Sequence, residues 1–307
     1  MASDYSESSA PARLLSGEQF EAIRDAITGY CGIALSQDYH ARLARVVSLR
    51  MRNLRLDDVA AYVQDLTRPG EEHGELSRFV DETTNTETYF FREEFQLDAL
   101  SHEILPVLVE QRLSRRRLTL WSAGCSSGEE PVTLAMLLRS SPEFERQLQR
   151  WEVRILGTDI NRRMIRKARE GVYAESSFKG LEEQRKARVQ SLFFRPEGKR
   201  FSVRPELRSM MSFLHLNLLD RDGAGLLGEM DVVLCRNVLM YFPTDVRLQV
   251  LQSFFRKLAV GGYLLLGHSE NLLGLDTPFE AARLKDSLVY RKPPRSRWRD
   301  CGEEWGC

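Results

Sequence analysis

The sequence predicts an α/β protein: a mainly parallel, Rossmann-like seven-stranded sheet, a small antiparallel β insertion, and an all-helical domain ahead of both. Three observations predict it. Seven β-rich runs lie between Leu118 and Arg291, with helical patterns between most of them, which implies a sheet covered on both faces. The first run stops at a small-residue loop that opens directly into an apolar helix pattern. The last two runs are joined by only Lys285, Asp286 and Ser287, a hairpin length, so one strand runs against the others.

The helical domain occupies residues 13–85, after a Ser- and Ala-rich tail over 1–12 expected to be flexible. Ser16 with Gln19 three residues on forms a capping box, and Phe20, Ile23 and Ile27 follow at helical spacing. A second helix runs from about Asp38 to Leu54. At about 100° per residue, Leu43, Val46, Val47, Met51 and Leu54 share one side. Arg42, Arg45, Arg52 and Arg55 occupy the opposite arc, and Arg50 breaks the pattern. A third helix starts at Asp57 or Asp58 and buries Val59, Tyr62, Val63 and Leu66. The stretch from Thr67 to Gly74 is a turn-rich link, and a short helix from Glu75 to about Glu82 leads to Thr84.

The second domain spans 86–292. Its candidate strands are Leu118–Ser122, Val153–Thr158, Met211–Leu216, Asp231–Cys235, Gly262–Gly267, Phe279–Leu284 and Leu288–Arg291, with helices over 131–139, 161–170 and 244–258. Ser191–Arg195 and Arg200–Arg204 flank the turn Pro196-Glu-Gly-Lys199 and read as two short strands of an insertion at about 188–208. That hairpin is either a surface decoration or an edge on which a partner strand docks. Residues 293–307, with two tryptophans, are expected as a flexible tail. A seven-stranded sheet with one reversed strand near its end is the architecture of class I S-adenosylmethionine-dependent methyltransferases.

The loop Ser122-Ala-Gly-Cys-Ser-Ser-Gly-Glu-Glu-Pro131 carries the chemistry. Gly124 and Gly128 are expected to let backbone approach a bulky ligand. The G-x-G-x-x-G spacing is absent, which argues against an NAD-linked oxidoreductase. Glu129 and Glu130 stand where a phosphate loop needs N–H groups and a cation, so pyrophosphate is repelled and a cationic ligand is favoured. S-adenosylmethionine carries a sulfonium and an ammonium and no phosphate. Composition adds exclusions. Lys plus Arg and Asp plus Glu are 44 each, so no basic excess points to nucleic acid. No apolar run approaches membrane-spanning length and no secretory pattern opens the chain. Cys31, Cys125, Cys235, Cys301 and Cys307 form no C-x-x-C and read as reduced thiols of a cytoplasmic protein. The histidines (40, 73, 102, 215, 268) show no ligand spacing, so no metal is expected.

Four blocks then occur in order: Thr84-Asn-Thr-Glu-Thr-Tyr-Phe-Phe-Arg-Glu93; Trp121-Ser-Ala-Gly-Cys-Ser-Ser-Gly-Glu-Glu-Pro131; Gly157-Thr-Asp-Ile-Asn161; and Cys235-Arg-Asn-Val-Leu-Met-Tyr-Phe242 with Gly267-His-Ser-Glu-Asn271. On these the chain resembles CheR-type chemoreceptor glutamate O-methyltransferases over residues 15 to 292. The resemblance implies cofactor contacts at Thr86, Thr88, Arg92, Glu130, Asp159, Asn217, Leu218, Cys235 and Arg236, with Glu129 a weaker candidate. Asp159, at the end of the second strand, suits a ribose, and an N-cap for the next helix is its other reading. The family's asparagine falls by spacing on Thr86, while the asparagine here is Asn85, so either residue serves that contact. Asn237 and Tyr241 follow on the loop facing the transferred methyl. Phe90 and Phe91 pack on the cofactor or belong to the core. His268 reads as structural, and the block it opens carries no assigned step.

The implied reaction is in-line attack of a glutamate carboxylate on the sulfonium methyl, releasing S-adenosylhomocysteine. A glutamate of pKa ~4.3 is already ionised at neutral pH, so no general base is needed. Arg92 and Tyr241 are the implied catalytic pair, orienting that carboxylate. The implied substrate is the cytoplasmic helical bundle of chemoreceptors, whose acidic helices suit the Arg42, Arg45, Arg52, Arg55 arc. Some relatives dock a receptor tail pentapeptide on the insertion through a longer Gly-containing turn; the shorter turn here implies weak or absent binding. A non-catalytic S-adenosylmethionine-binding signalling or scaffold module is the alternative.

Overall fold

The computed structural model describes residues 15–68, 74–140, 146, 148–297 and 305. The expected 1–12 tail, most of the 67–74 link and most of the 293–307 tail lie outside these. The chain divides into two compact units, one ending at Asn85 and the other starting at Thr86.

In the first unit, α1 (Gly17–Cys31) starts with both arms of the capping box: Ser16 Oγ accepts from Gln19 N and Gln19 Oε1 accepts from Ser16 N. It stops at Gly32, φ 75°. A 3-10 turn (Gln37–Tyr39) leads into α2 (His40–Leu54). Asp58 caps α3 (Val59–Leu66), and α4 (Glu75–Thr83) follows. Phe20, Ile23, Ile27, Leu43, Val47, Met51, Leu66 and Phe79 form the core, each at most 1% exposed. Leu54, expected on the apolar side, is exposed in the last turn of α2. Arg50 breaks the α2 pattern because it has partners: Nε and Nη2 each reach a Glu75 oxygen at 2.7 Å, and Tyr62 Oη donates to Glu75 Oε1 at 3.0 Å. One carboxylate thereby ties α2, α3 and α4.

The second unit opens with a helical run that the strand–helix pattern does not predict: α5 (Glu94–Ala99), a π turn (Leu100–Ile104) and α6 (Leu105–Gln111). Leu97, Leu100, Ile104 and Leu108 supply its buried face at helical spacing. Then come β1 (Arg117–Ala123), α7 (Glu129–Ser140), β2 (Glu152–Asp159), α8 (Arg162–Glu170), β3 (Val172–Ala174), α9 (Glu183–Phe193), β4 (Phe194–Glu197), β5 (Arg200–Val203) and α10 (Pro205–Arg208). They are followed by β6 (Met211–His215), α11 (Arg221–Gly225), β7 (Met230–Cys235), α12 (Thr244–Lys257), β8 (Leu258–Leu266), β9 (Glu280–Arg283) and β10 (Leu288–Arg291).

The seven-stranded sheet has the order β6-β2-β1-β7-β8-β10-β9. β10 is antiparallel to both β8 and β9, the reversed strand that the three-residue link requires. β1 and β7 are buried almost throughout, as central strands covered on two faces are.

The insertion departs from the expected two strands. It is a three-stranded antiparallel sheet, β3-β5-β4, and it draws β3 from immediately after α8. Ser191, Leu192 and Phe193 close α9 instead of opening a strand. Val189 and Phe193, four residues apart, are both buried, so the local pattern is helical up to Phe193. Residues Glu197 and Arg200 pair directly, leaving a two-residue turn with Gly198 at φ 62°. Pro196 is tolerated because β4 is an edge strand.

Phe90 belongs to the core between this sheet and the main one, with ring centroids 5.0 Å from Tyr173, 4.8 Å from Phe178 and 5.3 Å from Phe194. Of the expected flexible tail, Pro293 is buried, and Trp305 packs edge-on against Phe255 at 5.8 Å. Among the described residues no helix is long and apolar enough to cross a membrane, and no group of three or more His, Cys, Asp or Glu is placed to hold a metal ion.

Candidate active site

β1 and β2 run in parallel register up to Ala123 opposite Thr158, so the segments after them emerge at one carboxyl edge. Gly124 N and Cys125 N both donate to Thr158 O, at 2.7 and 2.9 Å. The Asp159 carboxylate then grips the loop: Oδ2 accepts from Ser126 N and Oδ1 from Asn161 N, each at 2.8 Å. Asn161, not Asp159, caps α8, accepting from Arg163 N and Met164 N at 3.0 and 3.1 Å. Gly124 and Gly128 adopt φ 81° and 93°. The room they leave is taken by protein. A Cβ on Gly124 would lie 2.4 Å from Val238 Cγ2, and one on Gly128 2.9 Å from Ala168 Cβ. On the Cβ side these glycines satisfy loop conformation and packing.

The two glutamates separate. Glu129 is 3% exposed and accepts from Ser127 Oγ (2.7 Å) and Ser177 Oγ (3.0 Å). Burial pushes its pKa up, against the hydrogen bonds from Ser127 and Ser177. It joins the loop to the insertion side of the unit. Glu130 turns to the strand ends, where Oε1 accepts from Ser122 Oγ at 2.7 Å and Oε2 from Arg236 Nη1 at 2.9 Å.

Arg236 is the hub of the site, its side chain 3% exposed. Besides Glu130 it donates from Nε to Gln96 Oε1 (2.8 Å) and from Nη2 to the Arg92 carbonyl and to Glu93 Oε2 (3.3 Å). Gln96 Nε2 in turn donates to Leu266 O at the end of β8 (2.7 Å). The guanidinium thus draws the 92–96 segment onto the ends of β1, β7 and β8. Arg236, an expected cofactor contact, therefore has its guanidinium engaged by the protein itself. Cys235, 0% exposed, offers its thiol to no surface, and burial pushes its pKa far up. Its backbone stands at the end of β7, where the contact is expected.

Around the hub, Thr86 O accepts from Ser126 Oγ at 2.9 Å, so the segment after the unit boundary is tied to the Gly loop. Asn85 is exposed and Thr86 half-buried. Thr88 and Arg92 are half-buried. Arg92 Nη1 donates to Glu87 O at 3.0 Å, and its guanidinium lies 5.9 Å from the Tyr89 ring centre. Glu93 sits at φ 52° with Oε1 on Asn237 Nδ2 (3.0 Å) and Oε2 on His268 N (3.0 Å). Burial raises its pKa, but the Asn237 hydrogen bond, the Arg236 charge, the His268 amide and Arg92 together outweigh that and hold it low. Asn217 and Leu218 follow β6, both half-buried, and Asn217 Oδ1 accepts from Leu219 N at 3.1 Å. Tyr241 ends a 3-10 turn (Leu239–Tyr241) after β7, half-buried.

The first unit carries the arginine arc. Arg45, Arg52 and Arg55 are exposed. Arg42 is half-buried, donates to Thr84 O at 3.0 Å and lies 5.8 Å from the Tyr39 ring centre. Glu93, Gln96 and Glu270 were not singled out from sequence. Glu93 and Glu270 lie in the quoted blocks, but nothing in the spacing shows which N–H groups a carboxylate will meet.

Four carboxylates, Glu93, Glu130, Asp159 and Glu270, and two guanidiniums, Arg92 and Arg236, lie on the segments at this edge. That negative balance at the strand ends fits a cationic adenosyl ligand and not a pyrophosphate. Strand order, reversed strand and acidic Gly-loop edge define an S-adenosylmethionine-dependent methyltransferase. Residues 86–287 match the family described as CheR methyltransferase, SAM binding domain, and residues 18–84 match its all-alpha domain. The chain is 31% identical over 278 residues to chemotaxis protein methyltransferase Cher2 of Pseudomonas putida, covering 89% of this chain and 97% of that one. It is 33% identical to chemotaxis protein methyltransferase 1 of Pseudomonas aeruginosa, again over 89% and 97%. With the chemotaxis protein methyltransferase of Borreliella burgdorferi the identity is 37% over 65% of this chain and 69% of that one. The chain belongs to the CheR methyltransferase family.

Proposed function

We propose that this methyltransferase serves chemotaxis by esterifying glutamate side chains on the cytoplasmic helical bundle of chemoreceptors. The observation that carries the reading is the match of both units to the two CheR domains, joined to an acidic strand-end site with Arg92 and Tyr241 beside it. S-adenosylmethionine, when bound, supplies an activated methyl group on a sulfonium. Thr86, Thr88, Glu130, Asp159, Asn217 and Leu218 would hold it, with the balance of charge favouring its cationic end. Cys235 and Arg236, at the end of β7, would border it, with the Arg236 guanidinium bracing the surrounding segments.

A substrate glutamate of pKa ~4.3 arrives ionised, so the chain need only orient and dehydrate it. Arg92, braced by Glu87 O and Tyr89, presents a fork to that carboxylate. Tyr241 aligns the same group from the turn after β7. The exposed Arg45, Arg52 and Arg55 suit an acidic receptor helix. With a two-residue turn between β4 and β5, the insertion is expected to bind a receptor tail pentapeptide weakly or not at all.

The test is transfer of labelled methyl to receptor cytoplasmic fragments, with base-labile release of label as methanol marking a carboxyl ester. Arg92→Ala should lower turnover at least tenfold more than it lowers S-adenosylhomocysteine affinity, as loss of a contact to substrate requires. Equal losses would assign Arg92 to the cofactor, and base-stable label would overturn the glutamate reading.

A further inference from the structure

The Gly267-His-Ser-Glu-Asn271 stretch has no part in the chemistry above, yet its glutamate binds the loop that carries Tyr241. Cys235 pairs with Leu266 in parallel register, so the segments after β7 and β8 leave the sheet side by side. The Glu270 carboxylate bridges them. Oε2 accepts from Asn237 N at 2.7 Å and from Gly267 N at 2.8 Å, and Oε1 accepts from Met240 N at 3.0 Å. These donors hold both ends of the turn that Tyr241 closes, where Tyr241 N donates to Val238 O at 3.1 Å. Two backbone features exist for this grip. Asn237 is at φ 59°, a left-handed conformation that asparagine tolerates better than most residues. A Cβ on Gly267 would fall 2.7 Å from both Asn237 N and Glu270 Oε2, so glycine is required for the approach.

We infer that Glu270 is a positioning residue for methyl transfer, fixing the Asn237–Tyr241 turn so that the Tyr241 hydroxyl stands where the substrate carboxylate is aligned. This rests on the role proposed for Tyr241. A carboxylate is the required group, because every donor it meets is a backbone N–H and both oxygens are used. A glutamine of the same size must turn its NH2 toward one of those N–H groups in either orientation. The turn then shifts, and misplacement of a reacting group by about 1 Å costs up to ~100-fold in rate.

The full-length chain is assayed by labelled-methyl transfer to receptor fragments, with S-adenosylhomocysteine titrated by calorimetry. Glu270→Gln should lower kcat roughly tenfold while receptor KM and S-adenosylhomocysteine Kd stay within about twofold. Glu270→Asp, which keeps the charge and both acceptors, should recover part of that loss; if the glutamine variant fails to fold, it carries the comparison in its place. In a Tyr241→Phe chain, Glu270→Gln should cost less than about twofold more, because residues that act as one unit are not additive. Full additivity, or a loss of cofactor affinity equal to the loss of kcat, overturns the inference while leaving Tyr241's role intact. A Tyr241→Phe chain of undiminished kcat, or a wild-type chain that labels no receptor, sinks the role of Tyr241 and the inference with it.

Discussion

Replacing Arg236 by alanine removes the one cation that joins Gln96, Glu130, Glu93 and the Arg92 carbonyl. Its side chain is 3% exposed, whereas those of Glu93 and Glu130 are 16% exposed. Breaking a buried pair from one side costs ~3–5 kcal/mol, because a charge is left without compensation. Both carboxylates keep some solvent and other donors, Ser122 for Glu130 and Asn237 with His268 N for Glu93, which places the cost near ~3 kcal/mol. For a unit of this size that lowers Tm by roughly 6–12 °C. Arg236→Lys should recover less than half, since an ammonium cannot reach acceptors spread across a planar fork. Thermal and urea melts measure both.

The pH dependence provides the sign. Glu93 has a folded-state pKa below its unfolded value, so its stabilisation is present above ~4.3 and is lost as pH falls through the lower folded value. The gap between wild type and Arg236→Ala should therefore narrow on acidification below ~4. A cost under ~1 kcal/mol, or a gap independent of pH, would refute the assignment of Arg236 as the hub.

Other expectations concern the Gly loop, Lys292 and the arginine arc. Gly124→Ala should weaken S-adenosylhomocysteine binding at least tenfold in a calorimetric titration, since the new Cβ meets Val238 at 2.4 Å and φ is 81°. Adding Val238→Ala should restore only part, because the backbone strain remains. Lys292 donates to Phe255 O and Leu258 O at 2.6 and 2.9 Å, and burial lowers its pKa to about 8. A lysine with a lowered folded-state pKa destabilises while both states are protonated, so its own penalty should fade between pH about 8 and ~10.4, and the stability difference between Lys292→Met and wild type should shift in favour of wild type over that window in pH-dependent melts. Arg45→Glu with Arg52→Glu should slow receptor methylation at low salt with cofactor affinity unchanged; an unaltered rate would remove the docking arc.

Much of the architecture was legible because local chemistry and global fold agree. Ser16 with Gln19, Asp58 ahead of α3 and the three-residue link before β10 each encode an element within a few neighbouring residues. The insertion was read less well. Leu192-Phe193-Phe194 is β-prone by composition, but the helical face shared by Val189 and Phe193 carries α9 up to Phe193. The run from Glu94 to Gln111 was missed because no cap or turn signal separates it from the motif before it.

By itself the sequence determined the strands of the main sheet and the helices α7, α8 and α12 between them, the reversed strand and the acidic Gly loop, because periodicity, caps and short links act over a few residues. Only the tertiary structure decided what each polar group meets. It placed Asp159 on Ser126 N and not on the cap of α8, closed Glu129 inside, turned the Arg236 and Cys235 side chains inward, put Arg42 on Thr84 O, and brought Glu270 to three N–H groups from two loops. Apart from Gly267 and Glu270, these partners lie tens to more than a hundred residues apart along the chain. A carboxylate or guanidinium has no pattern in sequence that names its partner; desolvation on folding selects whichever donor or acceptor the packed elements leave within reach.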